Sequence, residues 1–174
     1  MQRLPKIAVL LLVAASSCCA SPHGNSNATA TAYRNSNYGF NVALSPREKL
    51  LRASEPSPNH GFGVDVPGAR LWADASYTDS PSADEEIKSL TAGCAIRERK
   101  PTSLGSSSAL AVRFSCPKSG DHEAYEEMLV VTVRRVGDRS PADYQVGMAA
   151  PDSQLISKYM STFNSMVAGF HFEK

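Results

Sequence analysis

Residues 152–172 read DSQLISKYMSTFNSMVAGFHF, and this stretch decides the fold class. Leu155, Ile156, Tyr159, Met160, Phe163, Met166 and Val167 recur at helical spacing and fall on one face. Lys158, Ser161, Thr162 and Ser165 fall mainly opposite. Asp152 or Ser153 can cap the start, and Gly169 is a natural stop. Phe170 and Phe172 then predict a short final strand or a tail packed under a sheet. A helix with one apolar face needs another layer to cover that face.

The layer is written upstream. Tyr125 to Arg135 is a strand whose centre, Met128-Leu129-Val130-Val131, is apolar without alternation, which predicts a central strand covered on both faces. Tyr144 to Met148 reads as a weaker strand or an irregular segment, after a turn over 137–142. Lys118 to His122 is a polar turn. Cys94 to Lys100 and Ala109 to Cys116 read as two strands joined by a turn-rich connector, Pro101 to Ser108, centred on Gly105. Folding about Gly105 sets Cys94 against Cys116 and Ile96 against Phe114, so the cysteines and the apolar pairs agree on one register.

Further upstream, Ser82-Ala83-Asp84-Glu85 is a capping box, and Ile87, Leu90 and Thr91 continue it as a short amphipathic helix to about Gly93. Gly61 to Val66 and Ala69 to Tyr77 alternate about a Pro67-Gly68 turn, as a hairpin does. Tyr38 to Leu44 alternates Tyr38, Phe40, Val42 and Leu44 against smaller or polar residues. Glu48 to Ala53 suits a turn of helix, and Glu55 to Asn59 a loop. Strands, helix, strands, helix predict an α+β fold: a mostly antiparallel sheet with helices packed on one face, one disulfide, and a single domain over 38–174.

The first twenty residues have another purpose. Arg3 and Lys6 precede an apolar run from Ile7 to Ala15, and Ser16, Ser17, Cys18, Cys19 and Ala20 follow. This is the layout of a bacterial-type secretory signal, and the run is shorter than the ~20 residues that span a bilayer. Cleavage after Ala20 would leave Ser21 as the terminus. Ala15-Ser16-Ser17-Cys18 alternatively serves as a lipobox, with Cys18 lipidated. Residues 21–37, SPHGNSNATATAYRNSN, have no apolar period and read as a flexible polar tether. The expected location is across the inner membrane, either periplasmic or as an outer-membrane lipoprotein.

Composition narrows the partners. The chain is formally +1, and without Arg3 and Lys6 it becomes −1. There is no basic surplus for nucleic acid. Membrane attachment rests on Cys18 alone. Cys94 and Cys116, left as one pair in an oxidising compartment, predict a disulfide.

A leader, a Tyr38-Gly39-Phe40 opening strand, a hairpin, a helix, a run of strands and a terminal helix ending in Gly169-Phe170-His171-Phe172 resemble the PsbP-like and DcrB-like envelope proteins. The resemblance spans Tyr38 to Phe172. It implies a non-enzymatic binding, assembly or chaperone-like module, and it supplies no catalytic motif to carry over.

The residues themselves supply none either. Ser119-Gly120-Asp121-His122 holds the residue types of a hydrolase, but neighbours on one turn rarely converge on a substrate atom. Asp121, His122 and Glu123, or His171 and Glu173, are too few for zinc. Asp84 to Glu86 lies in a first helical turn, where negative charge is favoured, and Glu126-Glu127 is a second carboxylate pair. His60 stands at a strand rim. The sequence therefore predicts no catalytic residue, no metal and no cofactor. Trp72, Tyr77, Tyr125 and Tyr144 are the candidate recognition surface. The leading reading is a protein-binding accessory, inhibitor or immunity-type module whose partner is an envelope protein or a cell-wall component. A small secreted hydrolase using His60, His122 or His171, and a carrier of a small apolar ligand, are the alternatives.

Overall fold

The computed structural model describes residues 32–44, 50–51, 59–135 and 140–173. The leader, Cys18 and the first part of the tether lie outside these residues, as do 52–58 and 136–139. Among the described residues every strand pairing is antiparallel. Two strand groups build the main sheet. The first is β3 (Leu50–Leu51), β4 (Gly61–Val66) and β5 (Ala69–Tyr77); the second is β6 (Ala95–Leu104), β7 (Ser107–Cys116), β8 (Tyr125–Arg135) and β9 (Pro141–Ala150). Their order is β3-β4-β5-β9-β8-β7-β6, so β9 lands beside β5 and joins the two groups. A second sheet, β1-β2-β10, consists of β1 (Ala32–Asn35), β2 (Phe40–Ala43) and β10 (Phe170–Phe172). The fold is α+β, as expected.

Two helices complete it. α2 spans Ser153–Ala168, and Asp152 caps it by accepting from the backbone N–H groups of Gln154 and Leu155. Ile156, Phe163 and Met166 are buried, with Leu155, Tyr159, Met160 and Val167 partly buried beside them. Gly169 ends the helix without a left-handed turn (φ −81°). A side chain there would collide with the carbonyl of Ala43, to which the chain is pinned by Ala43 N–H donating to Gly169 O at 2.8 Å. α1 spans Ala83–Leu90, with Ser82 accepting from Glu85 N–H at 3.4 Å. Ile87 is fully buried, whereas Leu90, expected on the same face, is exposed.

The helices take opposite faces of the main sheet, where one face was expected. Alternation along β8 shows it. Met128 and Val130 join the core under α2, and Leu129 and Val131 join a smaller core with Ile87 of α1, Val112 and Phe114. We call the α2 side the front and the α1 side the back. The front also carries the three-stranded sheet. There Tyr144 meets the rings of Phe40, Phe170 and Phe172 edge-on, at 6.1, 6.4 and 4.9 Å between centroids. The apolar centre of β8 is thus covered on both sides, as its sequence predicts.

Other expectations need correction. The tether ends earlier than Asn37: Ala32–Asn35 pair with β2, burying Tyr33 and Asn35, so the ordered domain includes Ala32. Leu50–Leu51, read as a turn of helix, pair with β4 instead. The supposed connector 101–108 is mostly strand. β6 runs to Leu104 and β7 starts at Ser107, with Gly105 (φ +55°) in the two-residue turn, a conformation that glycine adopts without a Cβ clash. Pro101 is tolerated because β6 is an edge strand. The predicted register holds at Ala95↔Ser115 and Ile96↔Phe114, then slips by one residue through a bulge at Arg97. Cys94 and Cys116 are disulfide-bonded, with Cα atoms 4.4 Å apart. β9, read as weak or irregular, is a ten-residue central strand that begins at Pro141, inside the expected turn.

Phe163 is 1% exposed, whereas Ser161 faces solvent. Phe163→Ala should lower the unfolding free energy by about 3–5 kcal/mol, and Ser161→Ala should change it little. Denaturant midpoints for the two variants check this, and equal small shifts would mean that α2 is not docked on the sheet.

Candidate functional site: the open half of the back face

α1 carries the chain from β5, mid-sheet, to β6 at the edge, and on the way it packs against β8 and β7. The back of β4, β5 and β9 lies beside this crossing. Arg70 is exposed there, and Trp72, Asp74, Ser76, Gln145 and Ala149 are partly exposed.

One row of residues organises this surface. Gly63, Trp72, Gly147 and Leu129 stand opposite one another on β4, β5, β9 and β8. The absent side chain at Gly147 makes room for the indole. A Cβ there would overlap Trp72 Cζ2 and Cε2 and lie 2.9 Å from Leu129 Cδ2. Trp72 therefore lies over a backbone rather than standing off the sheet. In the next row Arg70 is opposite Ala149, and Ala149 is opposite Glu127. In the same row Asp65 of β4 stands opposite Arg70, and Glu127 is the charged member on β8. The Arg70 guanidinium sits 5.1 Å from the centroid of the Trp72 ring, a cation–π distance.

Burial sets the protonation of these acids. Desolvation pushes Glu127 up to about 7, and Arg70 pulls the other way. Towards α1, Asp143 is 1% exposed and is also pushed upward by burial, against the hydrogen bonds donated by Ser76 Oγ (2.7 Å) and by Gln145 Nε2. Asp74 rises for the same reason, while the Ala75 N–H that donates to it at 2.8 Å opposes the rise. Glu86 of α1 accepts from Thr78 Oγ1 at 2.6 Å. A flat aromatic ring among partly desolvated charges is equipped for recognition. Among the described residues no three His, Cys, Asp or Glu side chains gather as metal ligands.

The four aromatic residues expected on one surface are divided. Trp72 and Tyr125 both pack against the back core. Tyr144 is a core residue on the front, donating its hydroxyl to Tyr38 O at 2.9 Å, and burial pushes it up to about 12. Tyr77, 48% exposed at the end of β5, lies 5.3 Å from the Tyr38 ring. Alternation likewise separates Glu126 from Glu127: Glu126 pairs with Arg113 at 2.7 Å on the front. Ser119 and His122 close an exposed turn by exchanging backbone hydrogen bonds of 3.0 Å, and Glu123 pairs with Lys118. Glu173 pairs with Arg34, and His171 is exposed. The His60 ring lies 5.5 Å from that of Tyr38. These histidines are scattered over separate parts of the molecule. Two open clefts lie elsewhere. One, of about 400 Å³, is bordered by Thr78, Pro81, Arg134 and Pro141; the other, of about 280 Å³, runs between the β6–β7 turn and the end of α2. Arg70, Gly147 and the distinct role of Glu127 were not singled out by sequence reasoning. Strand alternation would have placed Glu127 opposite Glu126, but its facing cation is 57 residues away in sequence.

Removing the charge should remove the desolvation cost. Glu127 is neutral when folded below about pH 7, whereas an unfolded carboxyl ionises near its ordinary value of 4.5. Its burial therefore weakens the fold progressively as pH rises through that window, and the loss is complete above it. Glu127→Gln should match the parent near pH 4 and exceed it near pH 8, by up to about 3 kcal/mol. Denaturant melts at the two pH values check the sign, and a gain that is equal at both would contradict it.

Solved structures with the same architecture exist. LpqN, described as involved in cell envelope biogenesis of Mycobacterium tuberculosis, matches at 14% identity with a TM-score of 0.54, over 78% of this chain and 83% of that one. Cyanobacterial PsbP (CyanoP) from Synechocystis sp. PCC 6803 matches at 11% identity with a TM-score of 0.52, over 88% and 98%. The chain thus has a PsbP-like fold, as the layout of its elements implied. No protein-family profile matches the sequence, and no curated protein matches it either.

Proposed function

We propose that this chain is a non-enzymatic, protein-binding module of the cell envelope, and that its contact surface is the open half of the back face. The observation that carries this reading is Trp72. It is laid over Gly147, partly exposed, and flanked by Arg70 and Glu127. Aromatic and arginine side chains held rigidly on a sheet are the usual anchors of protein interfaces. The fold shared with LpqN, an envelope-biogenesis protein, supports the compartment, as do the leader and the disulfide. The partner is another envelope protein or a cell-wall component. The accessory, inhibitor and immunity-type roles all use such a surface.

A photo-reactive residue placed at position 70 or 145 should trap the same partner in envelope extract, and one placed at 161, on the outer face of α2, should not. Trp72→Ala, verified as folded by circular dichroism, should lose the adduct. Trapping that is equal at 161, or indifferent to Trp72→Ala, overturns the surface.

Secretion with Cys18 as a lipid anchor belongs to the same reading. The mature protein should label with a palmitate analogue and partition into detergent, and Cys18→Ala should abolish both. A mature terminus at Ser21 would instead establish a soluble periplasmic form. No helix among the described residues is long and apolar enough to cross a membrane.

A further inference from the structure

β8 ends on Arg134 and Arg135, which strand alternation sends to opposite faces of the sheet. Both nevertheless border the open cleft of about 400 Å³, because it sits at the end of the strand. Across it lie the start of β9 and the segment that leads into α1. Pro141 stands opposite Arg135, and the Thr78 N–H donates to Pro141 O at 3.0 Å. The Thr78 hydroxyl is engaged, donating to Glu86 and accepting from the Ser80 N–H at 3.0 Å. Pro81, Val133 and Pro141 give the cleft an apolar wall. Its charged groups are the two guanidiniums and Asp79, which leave it formally +1 (two cations, one anion).

These two arginines differ from their counterparts in what meets them. Arg34, Arg99 and Arg113 each pair with a carboxylate, Arg97 donates to Ser115 Oγ, and Arg70 lies over Trp72. Among the described residues, neither Arg134 nor Arg135 has an ion-pair or hydrogen-bond partner for its side chain. Arg134 is held by a ring instead. Its guanidinium carbon lies 3.7 Å from the centroid of Phe172, and Phe172 in turn meets Tyr144 edge-on at 4.9 Å. At that separation the flat group lies on the face of the ring, which leaves its N–H edge free. A free guanidinium edge takes a carboxylate through two parallel hydrogen bonds.

We propose that this cleft is a binding site for a small organic carboxylate. Arg134, braced by Phe172, takes the carboxylate on its N–H edge. Arg135 adds a second cation from the rim, and the apolar body of the ligand lies against Pro81, Val133 and Pro141. The net charge of the cleft matches one negative charge better than the nearly two of a phosphate monoester. The volume falls within the range of small-ligand sites, roughly 300–1,000 Å³, at its lower end. The site is separate from the back-face docking surface, and neither reading depends on the other.

NMR of the arginine Nε–H groups in the purified protein tests this. Butyrate, added at neutral pH in exchange for chloride at constant ionic strength, should move the Arg134 and Arg135 signals along one saturable curve. Its midpoint should be on the order of millimolar for so small a ligand. The signal of Arg97, exposed on β6, should stay in place. Acetate, which lacks most of the apolar body, should bind several-fold more weakly, and inorganic phosphate more weakly than butyrate. Arg134→Lys keeps the charge but loses the fork, and should weaken butyrate about tenfold. Asp79→Asn leaves both cations unopposed and should tighten it. Shifts that never saturate, or that Arg97 shares equally, would show ionic screening only and overturn the site. So would an Arg134→Lys protein that is folded by circular dichroism and binds as the parent does. Phosphate that binds more tightly than butyrate would overturn the carboxylate as ligand. The saturation and the ranking of the three anions are read on the parent, so they decide the proposal even where a variant does not fold.

Discussion

The pairing of β5 with β9 is the constraint on which the rest of the structure depends. Arg70↔Ala149 through Tyr77↔Ala142 join strands that lie some seventy residues apart, and every other neighbour in the main sheet is close in sequence. Closing so long a loop has an entropic cost, which the side chains of these two strands must offset. Leu71, Ala73, Ala75, Tyr144, Val146 and Met148 do so by burying their whole front surface. The pairing also fixes the route of α1. With β9 beside β5, the chain leaving β5 has to reach the far edge before it can return strand by strand. Its helix crosses the back of the strands it leads to, and the back of β4, β5 and β9 is left beside the crossing. The open surface is a consequence of topology.

On the front, the same strand supports the closure of the chain on itself. Tyr144 takes the edges of three phenylalanine rings and ties its hydroxyl to the backbone at Tyr38. α2, sixteen residues and about 24 Å long, spans from the end of β9 to β10, which completes the small sheet against β2. Backbone hydrogen bonds of 2.8 Å from Ala43 to Gly169 and from Glu173 to Gly39, with the Arg34–Glu173 ion pair, join the first described strand group to the last. A helix with one apolar stripe thus has the sheet beneath it and the first and last described strands locked beside it.

Elements with a strong period were legible in the sequence: α2, β8, the β4–β5 hairpin and the Cys94–Cys116 register. The misread segments share a physical cause. β1 reads AYRN, and only its pairing with β2 makes it a strand. β6 carries Pro101 and a run of charges because an edge strand needs neither alternation nor every N–H. β9 looked weak because Asp143 and Gly147 interrupt its apolar pattern. Those two residues stand where the polar network and the Trp72 indole meet the sheet, so the local irregularity was the mark of the site. Tyr144 was taken for surface because an aromatic in a weak strand gives no sign of which face it occupies. Arg70 and Glu127 become neighbours only through the β5–β9 pairing, and no local pattern in the sequence contains that.

The cost of Glu127 bears on why the surface has this composition. A carboxylate between Phe114 and Ala149 is disfavoured by desolvation, and an apolar residue of similar size would strengthen the fold. It would also enlarge the apolar surface around the partly exposed Trp72 indole. Patches of that kind on a free chain drive non-specific association. Arg70, Asp74 and Glu127 interrupt the patch while leaving the ring partly exposed. Burial pushes Glu127 up to about 7, within the physiological range. The residue that weakens the fold is therefore also one that interrupts the apolar surface beside Trp72.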